Sequence, residues 1–168
     1  MIESSEKPEN PAVGKRRLSE TRRKWGAVLI GTDGSEGAAR AVEAASALAA
    51  DLDAEVWIAN VMDQSSEPVL GQIARADNAS VGDIAETMAR RFLYEAAQRA
   101  EAVGAQKIHS ILRSGHCAEE LIAVAQEIDA TAIFVGRRGA GGRLSQLLMG
   151  SVSQKLAGIS PRMLVIVP

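Results

Sequence analysis

Two short glycine-bearing segments are where this 168-residue chain could do chemistry. The first, Gly31-Thr32-Asp33-Gly34-Ser35-Glu36, follows an apolar run. The second, Gly136-Arg137-Arg138-Gly139-Ala140-Gly141-Gly142-Arg143, follows another and leads on to Gly150-Ser151. At Gly136 a missing side chain would let a ligand approach the main chain closely. Gly139, Gly141 and Gly142 permit positive φ and can aim successive amides at one anion. Gly150-Ser151 opens a helix, so freed amides and the Ser151 hydroxyl could bind phosphate oxygens. Hydrogen bonds to a charged group are worth roughly 1.5–3 kcal/mol each, so several would outweigh a helix-dipole contribution of ~0.3–1 kcal/mol. A plain glycine-rich turn with Ser151 as an ordinary N-cap fits the composition equally well. Arg137 and Arg138 could neutralise a neighbouring phosphate, although solvent exposure is the default for arginine. Asp33 could bond a nucleoside sugar or base, or close an Asx turn onto the amide two residues on. Ser35 reads as the N-cap of the helix that follows.

Other chemistries find less support. No P-loop ending occurs, and Gly31, Gly34 and Gly37 are spaced G-x-x-G-x-x-G, which misses the dinucleotide fingerprint. His116 and Cys117 adjoin a strand end, but neighbours in sequence do not aim their side chains at each other. His109 falls in an expected edge strand, and two isolated histidines with one cysteine give no metal site. Asp51 and Asp53 flank a helix end and read as a solvated face. Neither a general base nor paired carboxylates are poised against a phosphate, so slow hydrolysis or autophosphorylation is the most that enzymology would offer.

Composition narrows the class further. Lys and Arg number 19 against 21 Asp and Glu, for a net charge of -2, and aromatics make up 3% of the chain. That excludes a polybasic nucleic-acid binder with stacking platforms. A hydrophobic fraction of 46% fills a core, and the single cysteine forms no internal disulfide. No apolar run reaches the ~18–20 residues of a membrane helix, and the first residues lack signal-peptide order. The expectation is a cytoplasmic protein with no membrane insertion and no nucleic-acid partner.

These segments need elements to position them. Residues 1–24 carry seven basic side chains (Lys7, Lys15, Arg16, Arg17, Arg22, Arg23, Lys24) against four acidic ones (Glu3, Glu6, Glu9, Glu20), a balance of +3 that leaves -5 to the remainder. With Pro8, Pro11 and few large apolar residues, this stretch reads as a flexible basic arm. From Trp25, short β-rich runs occur at Val28–Ile30, Val56–Val61, Ile108–Leu112, Ala132–Val135 and Met163–Val167. Between them lie helical stripes: Ala41, Ala45, Leu48, Ala49 and Leu52; Ile84, Met88, Phe92, Ala96, Ala100 and Val103; Leu121, Ile122, Ala125 and Ile128; Val152, Leu156 and Ile159. Alternation of this kind predicts a single α/β domain over 25–168, an open five-stranded parallel sheet with helices on both faces. The long connection from Asp63 to about Val81 has loop composition and carries no transferable chemistry. Ligands of such sheets bind beyond the carboxyl ends of the strands.

Strand-Gly31-Thr32-Asp33-Gly34-Ser35, an alanine-rich helix and the strand Val56 to Asp63 resemble the opening of the universal stress protein family. Gly136-x-x-Gly139, then Gly150-Ser151-Val152-Ser153 and a final Leu164-Val165-Ile166-Val167 strand, resemble its close. Gly115-His116-Cys117-Ala118-Glu119-Glu120-Leu121-Ile122 resembles its third strand-to-helix junction. The resemblance covers Trp25 to Pro168 and implies a Rossmann-like, adenine-nucleotide α-hydrolase-like fold with strand order 3-2-1-4-5. It also implies ATP between the ends of strands one and four. Asp33 would lie on the adenosine side, Thr32 would be among the nucleotide-binding residues, and Val61 would meet adenine through its main chain. Gly136, Arg137 and Gly139 would line the ribose and phosphates, with Gly150, Ser151 and Val152 on the phosphates. Mg²⁺ would ride on phosphate oxygens with no protein ligand. A homodimer through the apolar last strand is implied as well. The family motif places nine residues between the second and third glycines, whereas Ala140 to Met149 makes ten here; Gly141-Gly142 would absorb the extra residue as a bulge. The alternatives are an interaction module of the same class that does not grip ATP, and a slow ATPase or autokinase.

Overall fold

The computed structural model describes residues 25–63, 80–139 and 149–168. The basic arm, most of the long connection and the Gly141-Gly142 turn lie outside the described residues. The elements follow in the order β1 (Ala27–Gly31), α1 (Glu36–Leu52), β2 (Glu55–Met62), α2 (Val81–Ala102), β3 (Ile108–Ser114), α3 (Cys117–Glu127), β4 (Ala132–Gly136), α4 (Ser151–Ile159) and β5 (Met163–Val167). The five strands form one parallel sheet in the order β3-β2-β1-β4-β5. β1 and β4 are central, so both faces of each are covered and nearly every residue in them is buried, as their unbroken apolar runs require.

Strand pleating divides the core. Val28, Ile30, Val56, Ile58, Ala132 and Phe134 face α1 and α2. Leu29, Ala59, Ile133 and Val135 face α3 and α4. The helices meet the sheet along stripes that differ in part from the expected ones. In α1 the buried line includes Ala38, Ala41, Val42, Ala45 and Ala49, while Leu52 is 37% exposed at the helix end. In α2 it is Ala89, Leu93, Ala96 and Ala100, and Met88 and Val103 are exposed. A strict four-residue repeat such as 84-88-92-96 drifts about 40° around a 3.6-residue helix at every step, whereas 89-93-96-100 stays on one face. In α3, Leu121 and Ala125 are buried with Ala118 and Val124, while Ile122 and Ile128 pack at the margin. In α4, Leu156 is fully buried and Ile159, at the last turn, is exposed.

One core group is mismatched. The Ser46 hydroxyl of α1 is fully buried and has no hydrogen-bond partner among the described residues. Leaving a buried hydroxyl unsatisfied costs ~1–3 kcal/mol, and alanine is also the better helix former. Ser46→Ala should therefore raise stability by about 1 kcal/mol, read as a rise of roughly 2–4 °C in a thermal melt.

Candidate functional site

Connections leave the two central strands in opposite directions. α1 carries the chain from β1 to β2, and α4 carries it from β4 to β5, on the other side and the other face. The carboxyl ends of β1 and β4 therefore flank the crevice at the switch point of the sheet, the position where open parallel sheets hold ligands.

On the β1 side the turn is built from local bonds. The Thr32 N–H donates to the Ala59 carbonyl at 2.9 Å, and the Thr32 hydroxyl accepts the Gly34 N–H at 3.3 Å. Asp33 Oδ1 accepts the Ser35 N–H at 3.0 Å, which is the Asx turn. Ser35 Oγ then caps α1 by accepting the Ala38 N–H. Gly34 has φ +76° and lies against the Phe92 ring, so a side chain there would be excluded twice.

On the β4 side the main chain is equally tied down. The Arg137 N–H donates to the Val167 carbonyl at 2.7 Å, and the Arg137 carbonyl accepts the Gly150 N–H at 2.8 Å. The buried Ser153 hydroxyl donates to the Gly136 carbonyl at 2.8 Å, pinning the first turn of α4 to the end of β4. The space that a side chain would take at Gly136 is filled by α1. A Cβ there would lie 2.5 Å from the Gly37 carbonyl carbon, so helix α1 makes the close approach. Gly139 joins the two tips: a Cβ on it would lie 2.5 Å from Asp33 Oδ2. Gly139 is not among the positive-φ glycines, so it supplies room rather than a special turn.

The helix termini differ in a way that matters for anions. α1 and α2 begin with the serine caps Ser35 and Ser80, and α3 carries Glu119 and Glu120 in its first turn. α4 begins at Gly150 with no capping side chain and no acidic residue, and Ser151 is its first helical residue rather than its cap. Gly150 accepts the Gln154 N–H as the first bond of the helix, so the Ser151, Val152 and Ser153 amides precede the ladder at a positive helix end. Ser151 is exposed and Val152 half-buried. The Arg137 Nε is buried without a hydrogen-bond partner among the described residues.

The β2 tip adds the third wall. The Asn60 side-chain amide, 6% exposed, donates to the Thr32 carbonyl at 2.7 Å and carries the chain on to Val61. Sequence reasoning missed Asn60, although a lone amide in the apolar run Val56-Trp57-Ile58-Ala59 was a visible signal. Ser153 and Gly37 stand in the segments singled out from the sequence but were given no role there, because what each contacts is set by the packing of α1 and α4 on β4. Cys117 begins α3 nearby. Its thiol is pushed up to about 11, first by burial and then by the negative charges of Asp63, Asp33 and Glu119. Its thiolate fraction at pH 8 is therefore about a hundredfold below that of an ordinary thiol, and iodoacetamide labelling should slow accordingly. The labelling rate should still climb above pH 9. Stability gained from the neutral thiol holds below pH 9 and is lost as pH rises towards 11.

A separate groove of about 470 Å³ runs between α1 and α2, with Thr32, Ser35, Arg40, Phe92 and Arg99 among its walls. Its charges are already paired, Arg40 with Glu36, Arg99 with Glu43 and Glu95 with Arg91, and it includes none of Gly136, Gly139 and Gly150. The described residues hold no cluster of three or more metal-ligating side chains.

A five-stranded parallel sheet in the order 3-2-1-4-5 with helices on both faces defines an open, doubly wound α/β fold. The profile of the universal stress protein family matches residues 24–168. The chain belongs to the universal stress protein family. It is 30% identical over 129 residues to Universal stress protein MJ0531 of Methanocaldococcus jannaschii, covering 77% of this chain and 74% of that one. It is 30% identical over 138 residues to Universal stress protein YxiE of Bacillus subtilis, covering 79% and 92%. Among solved structures, a universal stress protein in complex with cAMP matches with a TM-score of 0.63 and 28% identity over 86% of this chain and 97% of that one.

Proposed function

We propose that this chain binds an adenine nucleotide, ATP by preference, in the crevice between the ends of β1 and β4, and that it turns the nucleotide over slowly or not at all. The observation that carries the reading is the uncapped start of α4 set beside the Asp33–Gly139 junction. Phosphates would take the Ser151 and Val152 amides and the Ser151 hydroxyl, with Gly150 letting the start of α4 pack against the Arg137–Gly139 main chain and Arg137 supplying countercharge. Asp33 Oδ2, on the crevice side of its turn, would meet the ribose; Thr32 holds that turn. Val61 would meet the base through its main chain. Gly136 acts at one remove, by seating α1 behind the site. Mg²⁺ would be held by phosphate oxygens. A family member 28% identical to this chain that is known in complex with cAMP supports an adenine ligand. The role we assign to this chain is regulation in the stress response, acting through conformation or partner choice.

β5 lies at the sheet edge with Met163 54% exposed, and this supports a homodimer formed through that strand. Among the described residues no helix is long and apolar enough to cross a membrane. A cytoplasmic location fits the single half-buried cysteine.

Isothermal titration with ATP, AMP and cAMP tests the binding, and single-turnover release of labelled phosphate tests for hydrolysis. Saturable heat with at least one of the three supports the reading. Flat traces at millimolar ligand would overturn it and leave an interaction module of the same family. Sedimentation at micromolar concentration showing monomer alone would remove the dimer.

A further inference from the structure

Parallel pairing alternates strictly, and β2 shows where the alternation is interrupted. Its even-numbered residues turn their main-chain groups towards β3: Val56 N–H bonds Lys107 at 2.8 Å and the Met62 carbonyl accepts from Gly115 at 3.1 Å. Its odd-numbered residues turn towards β1: Glu55 N–H bonds Gly26, and the Ala59 carbonyl accepts from Thr32. The next rung would bring the Val61 N–H to the Thr32 carbonyl. That carbonyl instead accepts the buried Asn60 side-chain amide at 2.7 Å. β1 pairing has ended at Gly31–Ala59, so the Val61 N–H and C=O face the crevice beyond the last rung.

We infer that Asn60 is a specificity-determining positioning residue: by occupying the Thr32 carbonyl it keeps the Val61 main chain available to read a purine edge. The inference rests on the nucleotide reading above and extends it to the base. An N–H beside a C=O matches the adenine edge, whose N1 accepts and whose N6 donates. It mismatches hypoxanthine, whose N1 donates and whose O6 accepts. Without the amide, the Thr32 carbonyl can take the Val61 N–H as the missing rung, and the base-reading donor is consumed. A buried side-chain amide on a carbonyl one strand away is otherwise an expensive way to continue a ladder that the backbone could extend by itself.

Three measurements on the full-length chain test this. In the parent, ATP should bind at least tenfold more tightly than inosine triphosphate. Asn60→Leu should bring the two within about twofold, chiefly by weakening ATP. Amide hydrogen exchange of the parent gives a readout that needs no variant: the Val61 N–H should exchange faster than that of Ala59 in the free protein and slow at least tenfold on adding ATP. Equal binding of the two triphosphates by the parent, or retained preference in a folded Asn60→Leu, would overturn the inference while leaving nucleotide binding intact. A Val61 amide already protected without nucleotide would overturn it as well. A parent that binds neither triphosphate overturns both readings together.

Discussion

Gly136→Ala is expected to lower stability by about 3 kcal/mol, the upper part of the range for overpacking a well-filled junction. The added Cβ would lie 2.5 Å from the Gly37 carbonyl carbon, 2.7 Å from its oxygen and 2.8 Å from the Ala38 nitrogen. All three obstacles are main chain in the first turn of α1, so no side-chain rotation relieves them. Nor can α1 simply retreat. Gly37 is itself packed against the Arg138 carbonyl, which a Cβ at Gly37 would meet at 2.7 Å, and the helix is held by its buried line from Ala38 to Ala49. A urea titration should show the midpoint falling with an unchanged slope, and the melting temperature should drop by roughly 6–12 °C. A loss below 1 kcal/mol would mean that α1 does not seat on the end of β4 as described.

That junction shows where reading the sequence worked and where it stopped. The sheet was legible because β1 and β4 are short unbroken apolar runs, which only a doubly covered central strand favours, and because helical segments separate every pair of strands. The helix faces were half legible. Small residues such as Ala38, Ala45 and Ala89 carry weak hydrophobic signal, yet they bring a helix closest to a sheet, while the conspicuous Met88, Val103 and Leu52 sit at margins and ends. At the site, glycine as such was the visible signal, but its use was not. Gly136 makes room for a helix, Gly139 for a carboxylate and Gly34 for a left-handed turn beside Phe92. A sequence records that a side chain is missing and leaves open what fills the space. Asp33 was read as ligand contact or local turn, and one oxygen makes the turn while the other abuts Gly139. Asn60 acts through a carbonyl 28 positions away, a relation that strand register creates and local pattern does not contain.

Gly139 therefore offers the sharper functional experiment, because its two roles separate. Gly139→Val should weaken ATP binding at least tenfold, about 1.4 kcal/mol, by placing branched carbons over the amides that approach the phosphates. In the absence of nucleotide the same substitution should cost far less than Gly136→Ala. Its Cβ meets the end of one short side chain, Asp33 Oδ2, which can rotate aside, whereas every obstacle at Gly136 is main chain. Repeating the substitution in an Asp33→Ala background removes the obstacle. The stability cost of Gly139→Val should then shrink, giving a measurable coupling between the two positions, as expected for residues in contact. The loss of ATP affinity should persist at tenfold or more, since it arises from the space above the amides and owes nothing to the carboxylate. If calorimetry shows the affinity loss disappearing with the aspartate, Gly139 serves only as the seat of Asp33, and the phosphates must be held by α4 alone.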